Sequence, residues 1–114
     1  MRRLTAVLVG ALMVLTLGGS AFGATSTVRA KGEKWKPFHT YIGKGDKVTF
    51  RNPTSKTHDV KGYGGLRLSA ALSPGKSVSK KFGAHGTFKF RCVRHSAIVG
   101  GTCRGMCGLV LVVA

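Results

Sequence analysis

The stretch of this sequence that decides the fold runs Gly86-Thr87-Phe88-Lys89-Phe90-Arg91-Cys92-Val93-Arg94-His95. Its side chains alternate, so Phe88, Phe90 and Cys92 share one face of an extended strand while Lys89 and Arg91 share the other. This period of two is typical of a β-strand with one buried face. The segment therefore predicts a strand that ends in a cysteine, with a histidine three residues later.

Short segments of the same kind occur on both sides of this strand. Residues 25–30, 47–51 and 77–82 predict further strands, and the unbroken apolar run 109–113 predicts a strand buried on both faces. Turn residues rich in Gly and Pro separate these segments, whereas residues 61–74 predict a loop or a single helical turn. About seven to eight short strands at this spacing predict an all-β, Greek-key sandwich.

The first 23 residues have the layout of a secretory signal peptide. Two arginines precede an apolar run at residues 4–17, and Ala21 and Gly23 are the small residues that a signal peptidase reads. We therefore expect cleavage after Gly23, one domain over residues 24–114, and a secreted, cell-envelope or periplasmic location. A membrane anchor is the alternative, but the run is shorter than the ~20 apolar residues of a typical span.

The chain contains three cysteines, at positions 92, 103 and 107. Export would place them in an oxidising compartment, where an odd number leaves one thiol to be explained. Cys103 and Cys107 are close enough in sequence to pair with each other, which would leave Cys92 free. A disulfide between Cys92 and either of the others is the alternative.

The free thiol has three candidate partners for a metal site. His95 follows Cys92 at the strand end, His58 lies upstream in a different hairpin, and Met106 precedes the terminal apolar strand. Two imidazoles and one thiolate with a long axial thioether suit both Cu(II) and Cu(I), whereas zinc would recruit a fourth strong ligand. Each residue alone has a simpler explanation, such as a surface His or a core Met. The ordered set indicates a site for one copper ion.

This ordered set resembles the cupredoxins, small blue copper proteins such as plastocyanin, azurin, pseudoazurin and amicyanin, and more closely the small exported cupredoxin-domain proteins of bacteria. The resemblance implies a Greek-key sandwich with copper near one end, held by His58, Cys92 and His95 with Met106 as the axial ligand. It covers nearly all of the chain after the leader and rests on residues 45–52, 74–77, 86–95 and 105–110.

Three departures from the cupredoxin pattern stand out. The ten-residue loop from Ser96 to Gly105 is longer than in the smallest family members, so Cys103 or Cys107 remains an alternative to Met106 as axial ligand. Asp59 stands where the family often has Asn or Ser, and its carboxylate would disfavour the reduced site if it lay close. The third departure is the presence of Cys103 and Cys107, and we hypothesise that they form a disulfide that stiffens the long loop.

The resemblance implies a one-electron carrier between extracytoplasmic redox partners, not an enzyme. Copper acquisition, storage or delivery is the alternative, and an exported basic scaffold with a lapsed metal site is a third reading. The apolar residues Ala97, Ile98 and Val99 are a candidate docking surface, although ordinary loop packing would also explain them. The other two histidines, His39 and His85, lack ligand-spaced neighbours and are expected to be structural or surface residues.

The strongly positive net charge of the chain indicates what kind of partner it would attract. The chain has 19 Lys and Arg against three carboxylates, a net charge of +16, and without the leader 17 cations leave a net charge of +14. Such a field favours a transient acidic redox partner, with an anionic cell-wall or membrane surface as a second candidate. Because the cations are scattered and the chain is expected to be exported, we expect no nucleic-acid partner. We also expect no stable oligomer.

Overall fold

The computed structural model describes residues 23–114, so the expected signal peptide, except for Gly23, lies outside the described residues. Within that range the chain forms nine strands and no helix: β1 (Thr25–Lys31), β2 (Lys34–Lys36), β3 (His39–Ile42), β4 (Lys47–Arg51), β5 (His58–Tyr63), β6 (Ser69–Leu72), β7 (Ser77–Lys81), β8 (Gly86–Val99) and β9 (Thr102–Val112). The described part of the chain accordingly contains no helical segment able to span a bilayer.

The nine strands form two sheets that pack face to face. One sheet has five strands in the order β3-β9-β8-β5-β6, and the other has four in the order β2-β1-β4-β7. Two of the neighbouring pairs, β3 with β9 and β1 with β4, are parallel. This architecture confirms the all-β sandwich. Residues 34–42, for which no strand was expected, form β2 and β3, and Pro37, which has no N–H for a ladder, separates the two.

Aromatic side chains from both sheets fill the core. The Phe50 and Phe90 rings meet edge to face with centroids 4.8 Å apart, and Trp35 lies against both. Phe90 and Cys92 are completely buried whereas Lys89 is exposed. The alternation expected for residues 86–92 is therefore present, and it carries Cys92 into the interior.

The expectation of a loop or helical turn over residues 61–74 was wrong. β5 continues to Tyr63, and Ser69–Leu72 adds an edge strand that pairs with it. A four-residue edge strand is too short to show a clear alternation of apolar and polar residues, and its hydrogen bonds depend on the neighbouring strand. The bend between them is tight at Gly62, where a Cβ would collide with Leu66.

The apolar run 109–113 is also not buried on both faces. Val110 and Val112 point into the core, whereas Leu109 and Leu111 are only half-buried. The strand lies between β3 and β8, so its backbone is fully paired while only one of its faces meets the other sheet. The run thus alternates in burial although it does not alternate in residue type.

The segment from Ser96 to Gly105, expected as a loop, is instead a β-hairpin. β8 continues to Val99, β9 begins at Thr102, and two glycines with positive φ form the turn between them. The long connection between His95 and Met106 is therefore held by a ladder of backbone hydrogen bonds. The connection is therefore long but conformationally restrained.

The loop that leads from β4 to β5 is organised by one buried side chain, Asn52. Its amide nitrogen donates to the carbonyl oxygens of Lys56 and Leu72, both at 2.7 Å. Its amide oxygen accepts from the backbone N–H of Thr54 at 3.0 Å and from the hydroxyl of the same residue at 2.6 Å. A fully satisfied buried amide fixes the loop conformation that delivers His58 to the start of β5.

We expect Asn52→Ala to lower the free energy of unfolding of the metal-free protein by about 3 kcal/mol, because it leaves the buried Leu72 carbonyl without its donor. Urea unfolding followed by Trp35 fluorescence would measure this. Thr49→Ala is the control: it removes an exposed hydrogen bond to Ser79 and should cost less than about 1 kcal/mol. Equal losses for the two variants would contradict the organising role of Asn52.

Candidate metal centre

Two neighbouring strands of the five-stranded sheet position the three strongest candidate ligands. His58 is the first residue of β5, and Cys92 and His95 lie within β8, which pairs with β5. Cys92 points inward because it continues the buried face of the alternating strand. The ligand atoms of the three residues lie within 4.8 Å of one another. The structure thus brings together residues that are up to 37 positions apart.

The three donor atoms form a compact triangle. His58 Nδ1 lies 3.2 Å from His95 Nδ1, and Cys92 Sγ lies 3.8 Å from the first and 3.5 Å from the second. The centre of such a triangle is about 2.0 Å from every corner, close to the bond lengths of zinc to nitrogen and sulfur ligands. Two imidazoles and a soft thiolate are the donor set that copper prefers. The residues fit one copper ion.

Met106 lies across the β8–β9 ladder from the segment that carries Cys92 and His95. Gly105 pairs with Ser96 and Cys107 pairs with Arg91, so the register shifts between the two pairs. Met106 alone therefore faces the four residues 92–95, and its side chain is completely buried. If copper binds, a buried thioether on this neighbouring strand is chemically suited to serve as a fourth, weak ligand.

Gly105 is needed for that register shift. Its φ is +100°, a region that other residues rarely adopt, and a Cβ at this position would collide with the carbonyl oxygen of His95. The close approach of the two backbones holds His95 against β9. Gly105 therefore has a backbone role beside the candidate thioether of Met106.

Asp59 braces the ligand segment from the adjacent strand. Its backbone N–H donates to Cys92 Sγ at 3.3 Å, and the Cys92 thiol donates to Asp59 Oδ1 at 3.1 Å. The same carboxylate accepts from the backbone N–H groups of Val93 at 3.3 Å and Arg94 at 3.4 Å. The carboxylate therefore does lie close to the sulfur, and it also holds the chain that follows Cys92.

Burial controls the protonation of the metal-free site. Removal from water raises the pKa of the Cys92 thiol; the backbone N–H of Asp59 opposes this, while the Asp59 carboxylate adds to it. Burial also lowers the pKa of His58, and the neighbouring His95 lowers it further. A neutral thiol and a neutral imidazole consequently face each other, so a metal entering this site must displace the thiol proton.

Sequence reasoning missed Glu33, which lies in the turn between β1 and β2. Its Oε2 atom is 3.4 Å from His95 Nε2 and 3.0 Å from Lys56 Nζ. No spacing rule connects position 33 to position 95, because the two meet only when the sheets pack. The scarcity of carboxylates, three in the whole chain, was the single available signal.

The remaining cysteines and histidines lie outside the triangle. Cys103 and Cys107 form a disulfide, and Cys92 is the free thiol among the described residues. Neither disulfide sulfur is then available as a thiolate ligand. His39 is exposed between two aromatic rings, and His85 is exposed with its Nε2 3.1 Å from the Ala114 carbonyl oxygen.

Comparison with known proteins identifies the fold. No family model and no curated protein sequence matches the chain. Among solved structures, a purple cupredoxin from Nitrosopumilus maritimus is 18% identical, with a TM-score of 0.60, and the match covers 77% of this chain and 99% of that one. A reduced proline-to-phenylalanine mutant of amicyanin is 25% identical, with a TM-score of 0.63 over 80% of this chain and 83% of that one.

A further match points the same way. A reduced tryptophan-to-tyrosine mutant of amicyanin is 26% identical, with a TM-score of 0.62 over 80% of this chain and 83% of that one. These similarities extend across the sandwich and are not confined to one hairpin. Residues 23–114 therefore carry the cupredoxin fold.

Proposed function

We propose that this chain binds one copper ion through His58, Cys92 and His95, with Met106 as the axial ligand, and carries single electrons between proteins. The observation that supports this most directly is the triangle of two Nδ1 atoms and one Sγ, whose corners lie 3.2, 3.5 and 3.8 Å apart. Bound copper would supply the one-electron chemistry. A carrier of this kind is not an enzyme, which agrees with the cupredoxin fold.

The protein scaffold holds the ligand atoms in place. His58 and Cys92 are completely buried on strands of one sheet, and the Cys92 sulfur accepts the Asp59 N–H. Close-packed interiors resist small displacements of their side chains. The ligands therefore keep nearly the same positions in both charge states of the site, which favours rapid electron exchange.

His95 is the ligand through which we propose that electrons enter and leave. Its side chain is 19% exposed, whereas His58 and Cys92 are fully buried. The adjoining hairpin exposes Ile98 and Val99, which, with Ala97, form the proposed docking surface. Weak redox encounters use small surfaces of this kind.

The partner we propose is an acidic redox protein met outside the cytoplasm. The 17 cations that follow the leader face only three carboxylates, two of which lie beside the metal centre. Such a surface attracts an oppositely charged partner and speeds its encounter. Export itself is proposed from the leader sequence. An anionic wall or membrane surface would be attracted by the same charge.

The first test adds Cu(II) to the purified protein comprising residues 24–114. We expect an intense visible absorption band from the thiolate–copper bond and a narrow EPR hyperfine splitting in the parent, and neither in Cys92→Ser. Met106→Leu should keep the colour and raise the reduction potential. Identical spectra for the parent and Cys92→Ser would contradict a thiolate ligand. Rapid loss of Cu(I) to a mild chelator during redox cycling would instead favour copper delivery.

The second test uses pH. Because burial keeps the Cys92 thiol protonated, metal binding should release one proton, and affinity should rise about tenfold per pH unit between pH 7 and 8.5. Co(II), which does not oxidise the thiol, can be titrated against a chelator of known affinity. Cys92→Ser should bind weakly with little dependence on pH. A flat profile for the parent would mean that the thiol is already ionised.

The third test separates charge steering from other effects. Oxidation of the reduced copper protein by anionic ferricyanide should slow as ionic strength rises, because salt screens the attraction. Oxidation by a cationic cobalt(III) phenanthroline complex should accelerate under the same conditions. If both rates changed in the same direction, the net positive field would not be steering the encounter.

A further inference from the structure

A tight turn brings a carboxylate to the outer edge of the metal centre. Lys31 pairs with Lys34, so the turn between β1 and β2 consists of Gly32 and Glu33 alone. Gly32 has a φ of +60°, which Gly adopts without strain. The geometry of the hairpin, and not a flexible loop, therefore sets the place of the Glu33 backbone.

The two ring nitrogens of His95 face different surroundings. Nδ1 faces the other two ligand atoms, 3.2 Å from His58 Nδ1 and 3.5 Å from Cys92 Sγ. Nε2 lies 3.4 Å from Glu33 Oε2, an ion-pair distance slightly longer than that of a typical hydrogen bond. A neutral imidazole carries one proton, and a nearby carboxylate favours that proton on Nε2. The Nδ1 lone pair is then left facing the centre of the triangle.

His58 achieves its orientation differently. Its side chain is completely buried, and its Nε2 atom has no hydrogen-bond partner. Packing, together with the contacts of Nδ1 with the other two ligand atoms, therefore fixes that ring. His95 is partly exposed and lies where the β8–β9 register shifts, so it has less packing to hold it. A polar partner at Nε2 can fix the orientation of the His95 ring where packing does not.

Lys56 holds the Glu33 carboxylate from the opposite side. Their side chains are 66% and 49% exposed, and exposed ion pairs add little to stability. The ion pair adds little to the free energy of folding. Its main effect is to hold Glu33 Oε2 near His95. Histidine ligands commonly donate their second N–H to a carboxylate, which orients the ring and makes it a stronger ligand.

We propose that Glu33 is a positioning residue for His95: it accepts the Nε2–H, selects the tautomer with a free Nδ1 lone pair, and biases the copper centre toward its oxidised state. The effect on copper rests on the proposed function above. The effect on the tautomer concerns the metal-free protein and can be tested without copper.

The tautomer test uses long-range ¹H–¹⁵N NMR of metal-free protein at pH 8. In the parent, the His95 resonances should show the Nε2–H form, and Glu33→Ala should shift the population toward Nδ1–H. Glu33→Gln should restore the parent tautomer, since its amide oxygen still accepts a hydrogen bond. A His95 tautomer that is the same in the parent and Glu33→Ala would overturn the proposal.

The copper test compares two variants with the same change in net charge. Glu33→Ala should weaken Cu(II) binding on the order of tenfold relative to Cu(I). For one electron this raises the reduction potential by about 59 mV. Asp46→Asn is the matched control: its carboxylate accepts the Gly43 N–H in the turn between β3 and β4, which also bonds to the Ala114 carbonyl, and the potential of this variant should stay at the parent value.

The outcomes are distinguishable from failure of the function itself. If Asp46→Asn shifted the potential as much as Glu33→Ala, net charge and not the local contact would be responsible, and the proposal would fall. If the parent took up copper without a thiolate–copper band, the electron-carrier function would fail, and the NMR result would still decide the role of Glu33.

Discussion

The structure depends on one constraint: β8 must leave its regular pairing with β9 directly after Arg91, so that Cys92 and His95 can point to the same place. Regular pairing along β8 would send Cys92 and His95 to opposite faces of the sheet. The shift in register opposite Met106 lets both donor atoms reach the same point beside His58. Gly105 permits this because only a residue without a Cβ fits against the His95 carbonyl. The rest of the sandwich keeps this irregularity rigid.

Rigidity comes from both sides of the irregular segment. On one side, the hairpin beyond His95 is fully laddered and the Cys103–Cys107 disulfide brackets Met106. On the other, Asp59 ties the backbone after Cys92 to β5. Because the chain is held on both sides of the ligands, little of the free energy of metal binding would be spent on ordering it.

Carboxylates are scarce in this chain, and their positions are informative. Two of the three contact the metal centre, Asp59 at the sulfur and Glu33 at the outer imidazole. Both place a carboxylate close to the ligands, and each has a cation beside it, Lys56 at 3.0 Å from Glu33 and Arg94 at 4.0 Å from Asp59. The remaining cations act over longer range on partners. In the proposed function, the charges beside the ligands act on the metal, and the net charge of the surface acts on the encounter with a partner.

The sequence by itself determined the sandwich, the inward path of Phe90 and Cys92, and the identity of the candidate ligands, because period-two burial and residue chemistry are local properties. It did not reveal the edge strand at residues 69–72 or the hairpin beyond His95, whose hydrogen-bond partners are supplied by other strands. Nor did it reveal Glu33. Only the packing of one sheet on the other decided which carboxylate meets which imidazole, since contacts between distant segments leave no periodic trace in the chain.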